Sequence, residues 1–500
     1  MLKQKTLFSL LALFVGAVLP LAFAPFGFYL VTEGALVLLL LIWSREISPG
    51  LAFWYGWLFG LAFFSCGVYW IYISIHHFGN APVMLAVLIL ALLVAFMALF
   101  PAFQGYLLNR FYPQNDWRKF LLAFPASWVV LEWLRGWVLS GFPWLFLGYG
   151  HIDSLLRGWA TVFGVYGVSF VIAQTSGAVV CMFFYRKNIK FIAVLALLIA
   201  MLWSGGFYLA KINWTKEADE PIQVSLIQGN IPITQKWGNE KELAKALNSY
   251  ALLTAENFAS KIIVWPEAAI PTYPENVQLY LKLLSMAAKL HNTTILSGIP
   301  FYDKETDRYY NGILSVGANE GRYYKRHLVP FGEYLPLSFM LSWLHNYLLI
   351  PMSGFSSGAK NQRDLLIGDT VLAPFVCYEI AYAGLVLEYL PRAGLIVTVC
   401  EDGWFGRSIA AAQHLEIARM RSLEVGRYQL LSATTGITAI IDAGGNVVSQ
   451  APVFEQAVLT DKIQILSGAT PWVKYGQYVW LFLLLMILLM GRWRKFRHYK

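Results

Sequence analysis

The chain has 500 residues, of which 58 % are hydrophobic, 16 % aromatic and only 13 % charged, a balance that excludes an ordinary water-soluble protein. Its formal net charge of +9 sits mostly in short segments between apolar runs. It therefore reads as membrane topology and not as a nucleic-acid-binding surface.

Crossing a hydrocarbon layer of about 30 Å takes roughly 20 apolar helical residues. Stretches of this kind lie at about 6–26, 28–43, 51–75, 83–108, 120–137, 162–185 and 189–210, with an eighth at about 472–491. The first also has the look of a cleavable signal peptide, "MLKQK" ahead of an apolar core and "AFA" at 22–24. Charge decides between the two. If the first span is retained, alternate connections carry Lys3 and Lys5, then Arg45, then Arg110, Arg118 and Lys119, then Arg186, Lys187 and Lys190, and finally the basic tail, while the opposite connections are nearly free of Lys and Arg. That is the pattern of a multi-pass protein with basic loops inside. The expected organisation is a seven-helix membrane domain over 1–210, a water-facing globular domain over 211–468, and an eighth helix with its basic tail over 469–500. Both termini then face the cytoplasm and the globular domain faces away from it.

Within 211–468, β-rich runs alternate with helical ones. "PIQVSLIQGN" and "SKIIVWPEAA" read as buried strands, "PENVQLYLKLLSMAAKLHN" as an amphipathic helix and "TTILSGIPF" as a further strand. "NGILSVGANEGRYYKRHL" reads as a hairpin turning at Asn319–Gly321. Next come the strand "DTVLAPFVCYEI", the helix "AYAGLVLEYLP", the strand "GLIVTVCEDGWFG", the helix "SIAAAQHLEIARMRSLEVGR" and a hairpin around "DAGGN". Interleaving of this kind predicts helices packed on a sheet, with functional side chains where strands end. Glu267, Cys377 and Asp402 all fall just past apolar strand runs.

Of the four cysteines, Cys66 and Cys181 lie inside spans and read as small apolar fillers. Cys377 and Cys400 each close a β run beside acidic residues. In an oxidising compartment a structural disulfide between them competes with a nucleophilic role for Cys377. A nucleophilic thiol needs a base and a positive neighbour, since at its ordinary pKa it is only a few per cent thiolate. Glu267 in "VWPEAAI" is a candidate base and Lys325 in "YYKRHLVPFGEY" a candidate oxyanion stabiliser. Alone, Glu267 reads rather as a helix-start acid and Lys325 as part of a basic surface patch.

In combination these stretches resemble the nitrilase superfamily over about 221–465, which implies a Glu–Lys–Cys triad on an α/β, αββα sandwich domain. More specifically, "SLIQGNIPITQKW", "WPEAAIP", "YYKRHLVPFGEYLP", "CYEI", "GWFG" and "QHLEIARMRSLE", with the eight spans and "EWLRGWVLSGFPWLFLGY", resemble the apolipoprotein N-acyltransferases along essentially the whole chain. The resemblance implies Glu267 as general base, Lys325 as oxyanion stabiliser and Cys377 as nucleophile. It implies Glu333 as an auxiliary carboxylate and Trp237, Tyr378 and Glu379 as substrate-handling or supporting residues. It further implies a phospholipid acyl donor and a diacylated apolipoprotein acceptor in the bacterial inner membrane, with a cysteine thioester between the two half-reactions and neither metal nor other cofactor. The chain departs from the family pattern at Glu401, where Asn is usual, and at Thr434 and Thr435, in place of Asn residues. The aromatic-rich stretches 136–150 and 336–355 are candidate rims where lipid enters the site. Two other readings stay open on sequence: a membrane-tethered hydrolase of a soluble amide or nitrile, and a transporter with a sensory domain, which the scarcity of charge within the spans disfavours.

Overall fold

The computed structural model describes residues 2–45, 48–236, 239–335 and 354–493. They fall into two compact units: Met1–Tyr69, Met84–Ile212 and Lys474–Lys500 in one, Trp70–Val83 and Asn213–Val473 in the other. The segment 70–83, expected as the end of the span at 51–75 and the connection to the next, thus belongs to the second unit.

The first unit is helical: α1 (Leu2–Val18), α2 (Val31–Trp43), α3 (Pro49–Gly67), α4 (Val83–Met97), α5 (Leu99–Phe111), α6 (Phe124–Arg135), α7 (Ala160–Phe184), α8 (Ile189–Leu209) and α12 (Pro471–Trp493). Among the described residues six helical stretches are long and apolar enough to cross a membrane: Lys3–Ala22, Pro49–Gly67, Val83–Phe111, Leu155–Phe184, Ile189–Leu209 and Pro471–Arg492. The chain is therefore a multi-pass membrane protein, but the expected count of eight is not reached. The segment expected at 28–43 gives a helix of only 13 residues, and that at 120–137 gives a helix of 12 preceded by a wider turn over Lys119–Ala123. Small residues allow close helix packing where hydrocarbon supplies no hydrophobic drive. On α3 a Cβ at Gly56 would stand 2.3 Å from the backbone oxygen of Pro101 on α5. Glu132 and Arg135, three apart on α6, are each held by groups beyond that helix turn. Glu132 accepts from the Trp128 indole at 3.1 Å and from Leu147 N at 2.9 Å, while Arg135 donates to the carbonyls of Phe142, Trp144 and Leu145.

The second unit holds two six-stranded sheets. The first runs β13 (Ala457–Ile463), β2 (Ile222–Gln228), β3 (Ile262–Val264), β4 (Thr294–Asp303), β5 (Arg308–Gly317), β6 (Gly321–Tyr324). The second runs β12 (Val447–Gln450), β11 (Ala439–Ile441), β10 (Gln429–Ala433), β9 (Ala393–Cys400), β8 (Thr370–Val376), β7 (Leu366–Ile367). A two-stranded ribbon joins β1 (Thr215–Glu217) to β14 (Leu466–Gly468). In each large sheet the centre is parallel and the edges antiparallel.

The parallel strands β2, β3 and β4 are linked by crossover helices α9 (Glu240–Ala255) and α10 (Gln278–Leu290), and β9 is followed by α11 (Ala410–Val425) before β10. Strands buried on both faces should be apolar throughout, and every residue of β9 is buried. On the outer side of the first sheet, Tyr250 of α9 stacks on Trp265 at 5.0 Å, and the Trp265 indole donates to Thr254 at 3.0 Å. Toward the other sheet, Ser432 of β10 donates to the Val264 carbonyl of β3. Helix, sheet, sheet, helix is the layer order expected from sequence. Both expected hairpins form, β5–β6 and β11–β12.

Candidate active site

Lys325 and Cys377 each follow directly on a strand, β6 and β8, and Glu267 lies three residues past the end of β3. The backbone there is unusual. Cys377 has a φ of 54°, Ala268 beside Glu267 a φ of 49°, and Phe331 in the loop carrying Glu333 a φ of 61°. Left-handed non-glycine residues cost about 1–3 kcal/mol each and persist where surrounding structure over-determines them. Close packing behind Glu267 does this. A Cβ at Gly298 of β4 would stand 2.5 Å from the Glu267 Cα, so only glycine lets the Glu267 turn lie against the neighbouring strand.

Lys325 is buried at 1 % exposure. Its ammonium donates to both oxygens of Glu333, at 2.9 and 2.8 Å. Glu333 also accepts from Val329 N at 2.9 Å, so its loop closes on itself. Asn311 of β5 links the two carboxylates, its Nδ2 lying 2.7 Å from Glu267 Oε1 and 2.8 Å from Glu333 Oε1. Burial works against the Lys325 charge, yet Glu333, Glu267 and Cys377 outweigh it and hold the ammonium well above the ordinary lysine range. Burial pushes the Glu267 carboxyl up; Lys325 opposes this and Glu333 adds to it. The two carboxylates thus differ in kind: Glu333 forms the ion pair, and Glu267 is left with a raised proton affinity suited to a base.

Cys377 is partly exposed. A hydrogen bond with Cys400 lowers its pKa, but burial and Glu267 raise it, Lys325 only partly offsets them, and the net direction is upward. That direction favours the protonated thiol. Cys377 and Cys400 are both free, so the disulfide alternative is not what the structure contains.

Glu379, completely buried, is the bracket that joins two of these loops. It accepts from Val376 N at 2.8 Å, Arg326 N at 2.7 Å, His327 N at 3.1 Å and the Tyr323 hydroxyl at 2.9 Å. The chain after Lys325 is thereby tied to the turn that presents Cys377. Tyr378 is partly exposed and meets Tyr382 edge-on at 5.1 Å. Trp237 lies outside the described residues, as does most of the candidate rim at 336–355.

Three features were not anticipated from sequence. Asn311, a buried amide inside a strand, is one; its interruption of an apolar run was the available signal. Lys236, beside Trp237, is another: its ammonium reaches Glu267 O, Glu401 and Thr434. The third is His414 of α11, which lies 3.3 Å from Asp402 and 3.2 Å from the Cys377 carbonyl. Cys400, Asp402 and His414 hold their ligand atoms within 4.8 Å of one another, a spacing a metal ion could use, but each His414 nitrogen already faces an acceptor. The segment 70–83 docks beside them, with Trp70 donating to Gln413 and Ser74 to the Trp404 carbonyl.

Paired half-parallel sheets and a cysteine on a strained turn define a nitrilase-like, carbon–nitrogen hydrolase type of domain, here carried by a membrane-embedded chain. Residues 223–471 match the carbon-nitrogen hydrolase family, and residues 15–178 the apolipoprotein N-acyltransferase N-terminal domain. Similar proteins include the apolipoprotein N-acyltransferase of Coxiella burnetii, 44 % identical over 96 % of this chain and 99 % of its own, and that of Methylococcus capsulatus, 42 % identical over 94 % and 92 %. The crystal structure of Saccharomyces cerevisiae Nit3, a nitrilase-superfamily member, is 17 % identical and covers 50 % of this chain and 93 % of its own at a TM-score of 0.38. The chain belongs to the apolipoprotein N-acyltransferase family, and its class of enzyme is accordingly an acyltransferase.

Proposed function

We propose that this protein moves a fatty acyl group from a membrane phospholipid to the α-amine of the diacylglyceryl cysteine of bacterial apolipoproteins, by way of a thioester on Cys377. Glu267 takes the thiol proton as the sulfur attacks the ester carbonyl, and Lys325 with a backbone N–H steadies the tetrahedral oxyanion. The carbon–oxygen bond then breaks, and the lysophospholipid oxygen leaves with the proton from Glu267. In the second half the acceptor amine attacks the thioester, Glu267 receives its proton, and the carbon–sulfur bond breaks to return the thiol. Glu333 keeps Lys325 charged and aimed, Glu379 holds the two loops in register, and Tyr378 and Trp237 handle the acyl substrate. The catalytic unit faces the periplasm from the inner membrane, with both chain ends in the cytoplasm.

The single observation that carries this reading is the charge arrangement: a buried ammonium committed to Glu333 stands in electrostatic contact with both Glu267, whose proton affinity is raised, and Cys377. The test is acyl labelling of membranes supplied with radiolabelled phospholipid. Wild-type protein should acquire hydroxylamine-sensitive label on Cys377 and pass it to a diacylated lipopeptide. Cys377→Ala should do neither, and undiminished product from that variant would defeat the reading.

A further inference from the structure

We infer that Lys236 and Glu401 form a positioning pair for the base: the buried ammonium grips the backbone carbonyl of Glu267 and thereby sets where its carboxylate points. The inference rests on the role proposed above for Glu267.

Lys236 is 4 % exposed, Glu401 2 % and Thr434 completely buried. The Lys236 ammonium meets the Glu267 carbonyl oxygen at 2.9 Å, Thr434 Oγ1 at 2.8 Å and a carboxylate oxygen of Glu401. An ammonium has three hydrogens, and three acceptors use them all, so nothing is left over to bind a substrate. That makes it a positioning residue and not a catalytic one. The other Glu401 oxygen accepts from Gly403 N at 3.1 Å, capping the turn Asp402–Phe405. Thr434 also ties across, its carbonyl accepting from Asn230 N at 2.9 Å. Glu267 and Asn230 follow strands of the first sheet, Glu401 and Thr434 strands of the second. One ammonium therefore fastens strand ends of both sheets at the place where the base leaves β3. The turn after Glu267 passes through the left-handed residue Ala268 and needs such a hold. Two positions where the sequence departs from its family's pattern, Glu401 and Thr434, are thus partners of one lysine.

The charges also act on Glu267, which faces Lys325, Glu333, Cys377 and Glu401 besides Lys236. Removing the lysine leaves Glu401 to raise the proton affinity of Glu267; removing the Glu401 charge leaves the lysine to lower it. The experiment measures the rate of Cys377 acylation against pH, with labelled phospholipid, for Lys236→Met, Glu401→Gln and the double variant Lys236→Met/Glu401→Leu, with Cys377→Ala alongside. Lys236→Met should acylate about 100-fold more slowly, as expected for a base displaced by about an ångström, with the phospholipid KM little changed. Its acidic limb should move to higher pH, and that of Glu401→Gln to lower pH. The double variant removes both buried charges, so it should recover thermal stability without recovering the rate. A double variant acylating at the wild-type rate, or acidic limbs moving in the same direction, would overturn the inference. If Lys236→Met yields no folded protein, Glu401→Gln and the double variant decide by the same criteria. Label persisting in Cys377→Ala would instead overturn the thioester reading.

Discussion

Asn311 donates one side-chain nitrogen to Glu267 at 2.7 Å, and this same nitrogen lies 2.8 Å from Glu333. Glu333 keeps its ammonium and backbone partners without the amide, whereas among the described residues Asn311 is the one hydrogen-bond partner of the Glu267 carboxylate. Asn311→Leu should therefore free the base and spare the ion pair. We expect acylation of Cys377 to slow by about 10- to 100-fold, with Lys325 still unreactive toward amine-modifying reagents. Single-turnover labelling reads the first outcome and mass spectrometry of modified peptides the second.

Glu379 presents a different balance, because its partners are mostly backbone. Glu379→Ala strands the N–H groups of Val376, Arg326 and His327 in a buried site, and unsatisfied buried donors cost about 1–3 kcal/mol each. The expected result is a large fall in thermal midpoint together with loss of labelling. Tyr323→Phe removes only one of the donors and should cost about 1 kcal/mol with activity retained. Differential scanning fluorimetry in detergent, run beside the labelling assay, separates the two variants.

What the sequence disclosed, and what it withheld, follows from how far each signal travels along the chain. Strand ends at Glu267 and Cys377 were legible because apolar β runs stop there within one or two residues. The layer order was legible because strand and helix periods alternate. Span counting did worse at 28–43 and 120–137, where apolar composition continues across turns that hydrogen bonding, not hydrophobicity, defines. The contacts of Asn311, Lys236 and His414 were not legible, since each joins residues between 22 and 198 positions apart, or 12 and 37 for the histidine, and no local pattern encodes such a meeting. Glu401 and Thr434 appeared in sequence only as departures; the structure gives both a common partner.

Gly298 offers a steric test of the base that leaves every charge in place. A methyl group there would stand 2.5 Å from the Glu267 Cα and 2.6 Å from the Pro266 carbonyl oxygen, both backbone atoms that cannot swing aside. Gly298→Ala should push the turn away from β4, lowering the acylation rate by about 100-fold while the chain remains folded. A variant with wild-type acylation kinetics would show that the turn tolerates a shift and that base placement is looser than the packing implies.

If Glu267 is the base, as proposed, it sets the pH dependence of acylation at Cys377. Burial raises its carboxyl above the usual carboxylate range, with Glu333 adding to the effect and Lys325 opposing it. A base works only when unprotonated, so acylation should rise with pH through a limb placed above 4.5, the ordinary value for the side chain, and fall as acid protonates the group. Glu333→Gln tests the assignment by sign. It removes the negative charge that raises Glu267 and leaves Lys325 to pair with the base, so the limb should move to lower pH. The maximal rate should fall as well, by about 100-fold, because a base of lower proton affinity drives the thiol proton less strongly and Lys325 loses its anchor. A limb unmoved in Glu333→Gln would mean that some group other than Glu267 titrates in the first half-reaction. Rapid-quench labelling over a pH series, on both proteins in the same detergent, gives the comparison directly.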